Sequence, residues 1–188
     1  MEIREARLED ADHACNVLRR SISQLCVADH GSDPAIINAW LANKTPETVA
    51  RWIDRLRAYA QDRLALEEPL VLAGDYNVIP TEADVHNPAA WINDALFLPT
   101  TREKFRTLIN LGLTDALRAV TDESGLYTFW DYQAGAWQKN WGIRIDHLLL
   151  SPQAADRLVT AGIDKHVRSW EKPSDHVPVY IDLAIDAN

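Results

Sequence analysis

Apolar positions along this chain follow two rhythms: short continuous runs that predict strands, and 3.6-residue stripes that predict helices. Leu70-Val71-Leu72-Ala73 is a continuous run, the pattern of a strand buried on both faces, and Gly74 after it lets the backbone turn. Residues 144–150 and 177–183 predict further strands, residues 163–167 another, and residues 3–7 a first one. Ala14, Val17, Leu18, Ile22 and Leu25 form a helical stripe over residues 9–26. Pro34 suits the first turn of a short helix carrying Ile36, Ile37, Trp40 and Leu41. Thr45 and Pro46 cap and start another, whose stripe runs through Val49, Trp52, Ile53, Leu56, Tyr59 and Ala60. Residues 101–111 predict a helix with Phe105, Leu108 and Ile109 inward and Gly112 as its stop. Ser151 and Pro152 open one more, running to about residue 160. Residues 80–88 read as an acidic, mobile loop, Trp91, Ala95, Leu96 and Phe97 as a small apolar cluster, and residues 127–132 as an aromatic, β-prone stretch. There are no repeats and no low-complexity segments.

Composition adds limits. With 188 residues, 47% hydrophobic and 25% charged, the chain can form one domain with a real core or two small ones. No apolar run is long enough to cross a membrane, and the mixed-charge opening at residues 1–5 is unlike a secretory signal. Cys15 and Cys26 lie on one predicted helix. Helix rise places their Cα atoms roughly 16 Å apart, too far to pair, so reduced core cysteines and a cytoplasmic location are expected. The net charge of −9 runs against a nucleic-acid partner. An acidic chain of this kind needs a local basic patch, or a metal that offsets its carboxylates, to bind DNA.

The candidate chemistry sits at strand ends. Asp75 and Asn77 follow the Leu70 run at i and i+2, where a carboxylate and a carboxamide can hold a water, a metal or a phosphate. Taken alone, the same residues are equally well a strand followed by an Asx turn. Asp146 and His147 open a second strand, and Asp175 and His176 precede a third. A lone Asp-His pair is usually a solvated turn; three such clusters in one chain are not so easily set aside. Together they suit phosphodiester hydrolysis: a carboxylate to fix or deprotonate water, an amide to donate to a phosphate oxygen, a His⁺ to bind the phosphorus centre, and oxygen ligands for a hard cation.

Gly74-Asp75-Tyr76-Asn77, Arg144-Ile145-Asp146 and Ser174-Asp175-His176, with Tyr127-Thr128-Phe129-Trp130-Asp131-Tyr132, resemble the motifs of the exodeoxyribonuclease III family of the endonuclease/exonuclease/phosphatase superfamily. The resemblance runs from about residue 54 to 183 and corresponds to the C-terminal half of that family. It implies an α/β fold: half of the endonuclease/exonuclease/phosphatase two-sheet sandwich, with N-terminal helices added. It also implies Mg²⁺-dependent (or Mn²⁺-dependent) removal of nucleotides from the 3′ end of duplex DNA and cleavage at abasic sites, in DNA repair. By the same resemblance Asp75 activates water, Asn77 positions water and phosphate, His176 contacts phosphate and Asp146 orients it. Asp175 is a metal ligand or stands behind one, Phe129 and Trp130 line the pocket for an extruded or abasic sugar, and Arg144 is structural. For Trp130 a place in an aromatic core strand is as good a reading. The family has a small or polar residue where this chain has Trp141.

Residues 1–53 do not carry those motifs. Ile3-Arg4-Glu5-Ala6-Arg7-Leu8-Glu9-Asp10-Ala11 and Asn43-Lys44-Thr45-Pro46-Glu47 resemble the opening of a GNAT-type acetyltransferase. Such an enzyme needs a Gly-rich loop for the coenzyme A pyrophosphate, and the glycines at 31, 74, 112, 125, 135, 142 and 162 form none. The expected organisation is therefore a chimera, with residues 1–53 an acetyltransferase-like fragment and 54–188 a nuclease-like half-domain, joined inside one helix whose stripe stays in phase. The family's metal-binding Glu belongs to a half with no counterpart here, so weak Mg²⁺ binding and impaired cleavage are expected. A half-sandwich also leaves an apolar sheet face to be covered by the N-terminal helices or by a second copy in a homodimer. The competing expectations are an inactive half-domain that binds DNA or a partner, an acetyltransferase disfavoured by the absent loop, and a phosphatase acting on a small phosphoester.

Overall fold

The computed structural model describes residues 33–36 and 46–184, with side chains for 33–36 and 55–184. Cys15, Cys26 and most of the acetyltransferase-like opening lie outside the described residues. Helix α1 runs unbroken over Pro46–Leu64, through the predicted junction. The chain divides into two compact units, Met1–Ala60 and Gln61–Asn188, and the division falls inside that helix.

The second unit is built on two small antiparallel sheets. Strand β1 (Val71–Asp75) pairs with β3 (Asp146–Leu150), which also pairs with β2 (Thr114–Asp115), so among the described residues β3 is central and β1 lies at an edge. Strands β4 (Leu158–Ile163) and β5 (Val179–Leu183) form a separate hairpin-like pair. The expectation of a strand buried on both faces fails for β1. Val71 and Leu72 are half-buried, while Ala73, Gly74 and Asp75 are exposed. Among the described residues only β3 flanks this strand, which explains its exposure. The triple-leucine stretch of β3 is the better core strand, with Leu149 and Leu150 fully buried.

Helix α2 is the single turn Pro88–Trp91, α3 is Pro99–Ile109 and α4 is Ala116–Val120. Helix α3 matches its stripe: Phe105 is buried and Leu108 and Ile109 pack beside it against Val78, Leu113 and Leu149. Gly112 takes φ +106°, a left-handed stop that glycine adopts without strain. Two expectations are corrected. The helix after Ser151 is only one turn, α5 (Pro152–Ala155), and residues 158–163 are β4. Valine, threonine and isoleucine from Leu158 onward favour a strand. Residues 165–169 form a 3₁₀ turn instead of the predicted strand.

Residues 80–88 are not a mobile loop. A 3₁₀ turn, Glu82–Asp84, buries Asp84 completely. Its carboxylate accepts hydrogen bonds from Thr81 N–H (3.1 Å), Thr81 Oγ1–H (2.7 Å), Arg144 Nε–H (2.7 Å) and Arg118 Nη2–H (2.5 Å). Arg144, 1% exposed, also donates through Nη1 to Asp115 at the end of β2 (2.9 Å) and to His147 Nδ1 (3.0 Å). Burial works to raise the Asp84 pKa, but the Arg144 hydrogen bond and charge, with Arg118 and Thr81, outweigh it and hold it at about 2. His147 Nε2–H donates to Val78 O at 3.0 Å. Burial, aided by the Arg144 charge, pushes the His147 pKa down to about 4, so the ring stays neutral inside the fold.

Arg144→Met leaves Asp84 buried without its main partner, and should lower unfolding free energy by about 3–5 kcal/mol in urea titrations. The neutral His147 makes stability pH-dependent. Its contribution is whole above the ordinary histidine pKa of about 6.5 and is lost as pH falls from there through about 4. Thermal midpoints should therefore drop over that window, before Asp84 titrates, and His147→Gln should flatten the drop.

Candidate active site

Three backbone segments are laced together beside the sheet. Phe129 bridges Ile143 on one side and His176 on the other. Trp130 N–H donates to Asp175 O (2.9 Å), and Val177 N–H donates to Thr128 O (2.9 Å). Thr128 is fully buried, and its hydroxyl oxygen accepts from Ile145 N–H (3.1 Å) and Asp146 N–H (3.2 Å). This lacing delivers His176 to Asp146. His176 Nδ1–H donates to Asp146 Oδ2 at 2.9 Å, leaving Nε2 as the ring nitrogen available to a ligand.

Asp75 is the register partner of Asp146 across β1 and β3. The turn predicted at Gly74 occurs three residues later instead, at Asn77. Gly74 is within β1, and Asn77 takes φ +50°. Asn77 tolerates that left-handed conformation because its backbone N–H and side-chain Nδ2–H both return to Asp75, at 2.8 and 3.2 Å. The Asx turn and the site are thus one structure, and each Asp75 oxygen keeps a second lone pair for a water or ligand.

The electrostatics follow from this crowding. Asp75 is exposed as a residue, yet neighbouring atoms desolvate its carboxyl enough to raise its pKa, and the Asp146 charge adds to the rise. Asn77 and His176 oppose it. The hydrogen bond to Asp146 raises the His176 pKa, against burial, and the charges of Asp146, Asp75 and Asp175 act in the same direction.

The sequence-predicted residues fare as follows. Asp75, Asn77, Asp146 and His176 come together, although His176 arrives from the segment ahead of β5 and not from the β1–β3 sheet. Asp175 adjoins His176 and is half-buried, with Oδ1 accepting from Ser174 Oγ–H at 3.3 Å. Phe129 is half-buried, its ring 5.0 Å from that of His176. Trp130 is 0% exposed and packs edge-to-face on Trp137 at 5.1 Å, so its ring lies in the core with Tyr127 and Val177 rather than on an open surface. Thr128, the residue that fixes Asp146 N–H, was not singled out from sequence. A buried threonine within an aromatic stretch carries no signal of that role until the Ile143–Asp146 segment is laid beside it.

For a cation, the donors are oxygens, the chemistry a hard ion takes, but among the described residues no three acidic or histidine side chains are close enough to hold one. One or two carboxylates, completed by water, is the arrangement that fits.

The Endonuclease/Exonuclease/phosphatase family model matches residues 7–176, and the chain belongs to that family. The matched span takes in much of the opening read above as acetyltransferase-like. The chain is 31% identical over 135 residues to exodeoxyribonuclease III of Haemophilus influenzae, covering 68% of this chain and 51% of that protein. It is 38% identical over 135 residues to the DNA repair nuclease APEX1 of Danio rerio, covering 71% of this chain and 42% of that one. Among solved structures, the 3′ phosphatase NExo from Neisseria bound to a product DNA hairpin superposes with a TM-score of 0.70 at 36% identity, over 72% of this chain and 53% of the other. The chain thus spans about half the length of these relatives. Among the described residues no helix is long and apolar enough to cross a membrane.

If the Asp146 hydrogen bond is what raises the His176 pKa, Asp146→Asn should bring it down. A ring-proton NMR titration should show the His176 midpoint above 6.5 in the wild type and lowered in the variant.

Proposed function

We propose that this chain carries the phosphodiester-cleaving half-site of a DNA repair nuclease, acting on duplex DNA with abasic sites or 3′ ends. The observation that carries the reading is the His176–Asp146 pair, 2.9 Å apart, set against the Asp75–Asn77 turn by direct β-register. Asp75 takes or orients the attacking water through its remaining lone pairs. Asn77, held by the Asx turn, fixes the Asp75 carboxylate in place. His176, anchored at Nδ1, presents Nε2–H to a phosphate oxygen, and its raised pKa extends the charged form to higher pH. Asp146 orients the ring and offsets its charge. Phe129 walls the same space with an apolar face.

Mg²⁺, or Mn²⁺, would be held by Asp175 and water, aided by one of Asp75 and Asp146, and would supply positive charge to the phosphate. So few protein ligands imply weak binding and slow cleavage compared with a full-length relative. The location we propose is cytoplasmic. Residues 1–53 are read as an acetyltransferase-like fragment joined to the nuclease-like part, and a homodimer is the arrangement that would cover an exposed sheet face. A second reading, an inactive half-domain that binds DNA, is favoured by the absence of a three-ligand cation cluster among the described residues.

Purified chain should nick a duplex carrying a synthetic abasic site slowly in millimolar Mg²⁺. Asp75→Asn and His176→Ala should each abolish that cleavage, a general acid or base being worth about 10²–10⁴ in rate. Slow cleavage retained by both variants would be contamination and would leave the DNA-binding reading. In the wild type the His176-dependent rate should fall as pH rises through the raised histidine pKa.

A further inference from the structure

The loop over residues 135–142 holds a surface feature that the cleavage chemistry does not use. Trp141 is 45% exposed, an unusual position for so large an apolar ring. Its indole stacks on the His86 ring, with centroids 5.8 Å apart and planes 15° from parallel. The Lys139 ammonium lies 4.1 Å from the indole centroid. Among the described residues no carboxylate pairs with Lys139, nor with Lys165, whose Nζ donates to Asn140 Oδ1 on the same loop (2.9 Å). In a chain of net charge −9, two cations without acidic partners, Lys139 on the exposed Trp141 and Lys165 against the same loop over Trp130 and Trp137, stand apart from their surroundings.

The platform is rigidly mounted. Trp141 N–H donates to Ala136 O (2.8 Å), and Lys139 N–H donates to Gly135 O (3.1 Å). The next residue, Gly142, accepts from His86 N–H at 3.1 Å and from the His86 Nδ1–H at 3.2 Å. A Cβ at Gly142 would fall 2.5 Å from the Tyr127 ring, so the backbone there cannot shift easily without a clash. Two residues on, Ile143 bridges Phe129, whose ring touches His176. The two residues from Trp141 to Ile143 and the two cross-strand steps from Ile143 through Phe129 to His176 span at most about 17 Å, or about five base steps of one strand. A nucleic-acid strand with its phosphate at His176 therefore has this loop within about five nucleotides.

We propose that Trp141, braced by His86, is a stacking platform for an unpaired nucleobase within about five nucleotides of the reacting phosphate, with Lys139 and Lys165 receiving the phosphates beside that base. This rests on the nuclease reading and narrows its substrate class to strands that offer an unstacked base, such as a frayed end, a gap or a flipped nucleotide. Every base has a π face, so the platform selects for unpairing and not for sequence. Lys139 swings from the indole to a phosphate when a base takes its place.

Fluorescence anisotropy tests this on the full chain with labelled oligonucleotides in EDTA, where no cleavage occurs. Trp141→Ala should weaken binding to a single-stranded or gapped oligonucleotide about 5- to 100-fold, and Trp141→Phe should recover most of the loss. Binding to a blunt, fully paired duplex should change little. Lys139→Ala with Lys165→Ala should reduce the salt slope for single strands by about 1.4, at 0.7 per phosphate. Unchanged binding in Trp141→Ala, or equal loss on paired and unpaired DNA, overturns the proposal. All three side chains are outside the core, so circular dichroism should confirm folded variants. Loss of cleavage is read separately: a chain that never cleaves but loses unpaired-base binding in Trp141→Ala keeps the platform and rejects the nuclease reading.

Discussion

A buried ion pair, Asp84 with Arg144, is the interaction on which the rest of this unit depends. It joins the 3₁₀ turn at residues 82–84, the end of β2 through Asp115, the helix carrying Arg118, and the central strand through His147. Well-packed apolar side chains in the same volume would hold such elements together as firmly, or more so. What charge adds is directional register. A guanidinium held through Nε and Nη1 by two carboxylates and an imidazole nitrogen, with Nη2 buried and unpartnered, has few alternative positions, and Arg144 is only two residues from Asp146. The ion pair thereby fixes where the central strand begins, and with it the carboxylate that orients His176.

The site itself is assembled by backbone geometry more than by side-chain packing. Asp75 and Asp146 meet because strand register puts them opposite each other, and His176 meets Asp146 because the Phe129 segment lies between Ile143 and His176. Bringing two carboxylates together is unfavourable unless something cationic accompanies them. His176 supplies part of that compensation: its hydrogen bond to Asp146 raises its own pKa, and its charge opposes the rise that burial imposes on Asp75. A bound cation would supply the remainder and shift both groups.

Short motifs made much of the site legible in the sequence. Gly74 to Asn77, Asp146 and Ser174 to His176 carry residue types that the chemistry requires, at the ends of apolar runs. Helix α3 was legible because its stripe and its glycine stop agree. Other features depend on contacts between distant parts of the chain. Asp84 looks solvated in an acidic loop, and only Arg144, 60 residues later, reveals it as core. The burial of β1 was overestimated because a run of apolar residues does not reveal how many neighbours a strand will have. Trp130 and Trp141 are both tryptophans beside family-like motifs, yet one is core and the other surface. That distinction is set by the fold of the 135–142 loop, where Asn140 adopts φ +54° and Gly142 admits close approach.

The pairing of β1 with β3 also sets a timetable for synthesis. Asp75 and its partner Asp146 are separated by 71 residues, and among the described residues no closer segment pairs with β1. At 5–20 residues per second, a ribosome needs on the order of 4–14 s to make the intervening chain. For that interval Leu70 to Ala73 is a nascent apolar strand without its β3 partner, open to capture by other chains or by chaperones. Rapid, uninterrupted elongation or chaperone shielding over this stretch would therefore favour the yield of folded protein, independently of how stable the finished unit is.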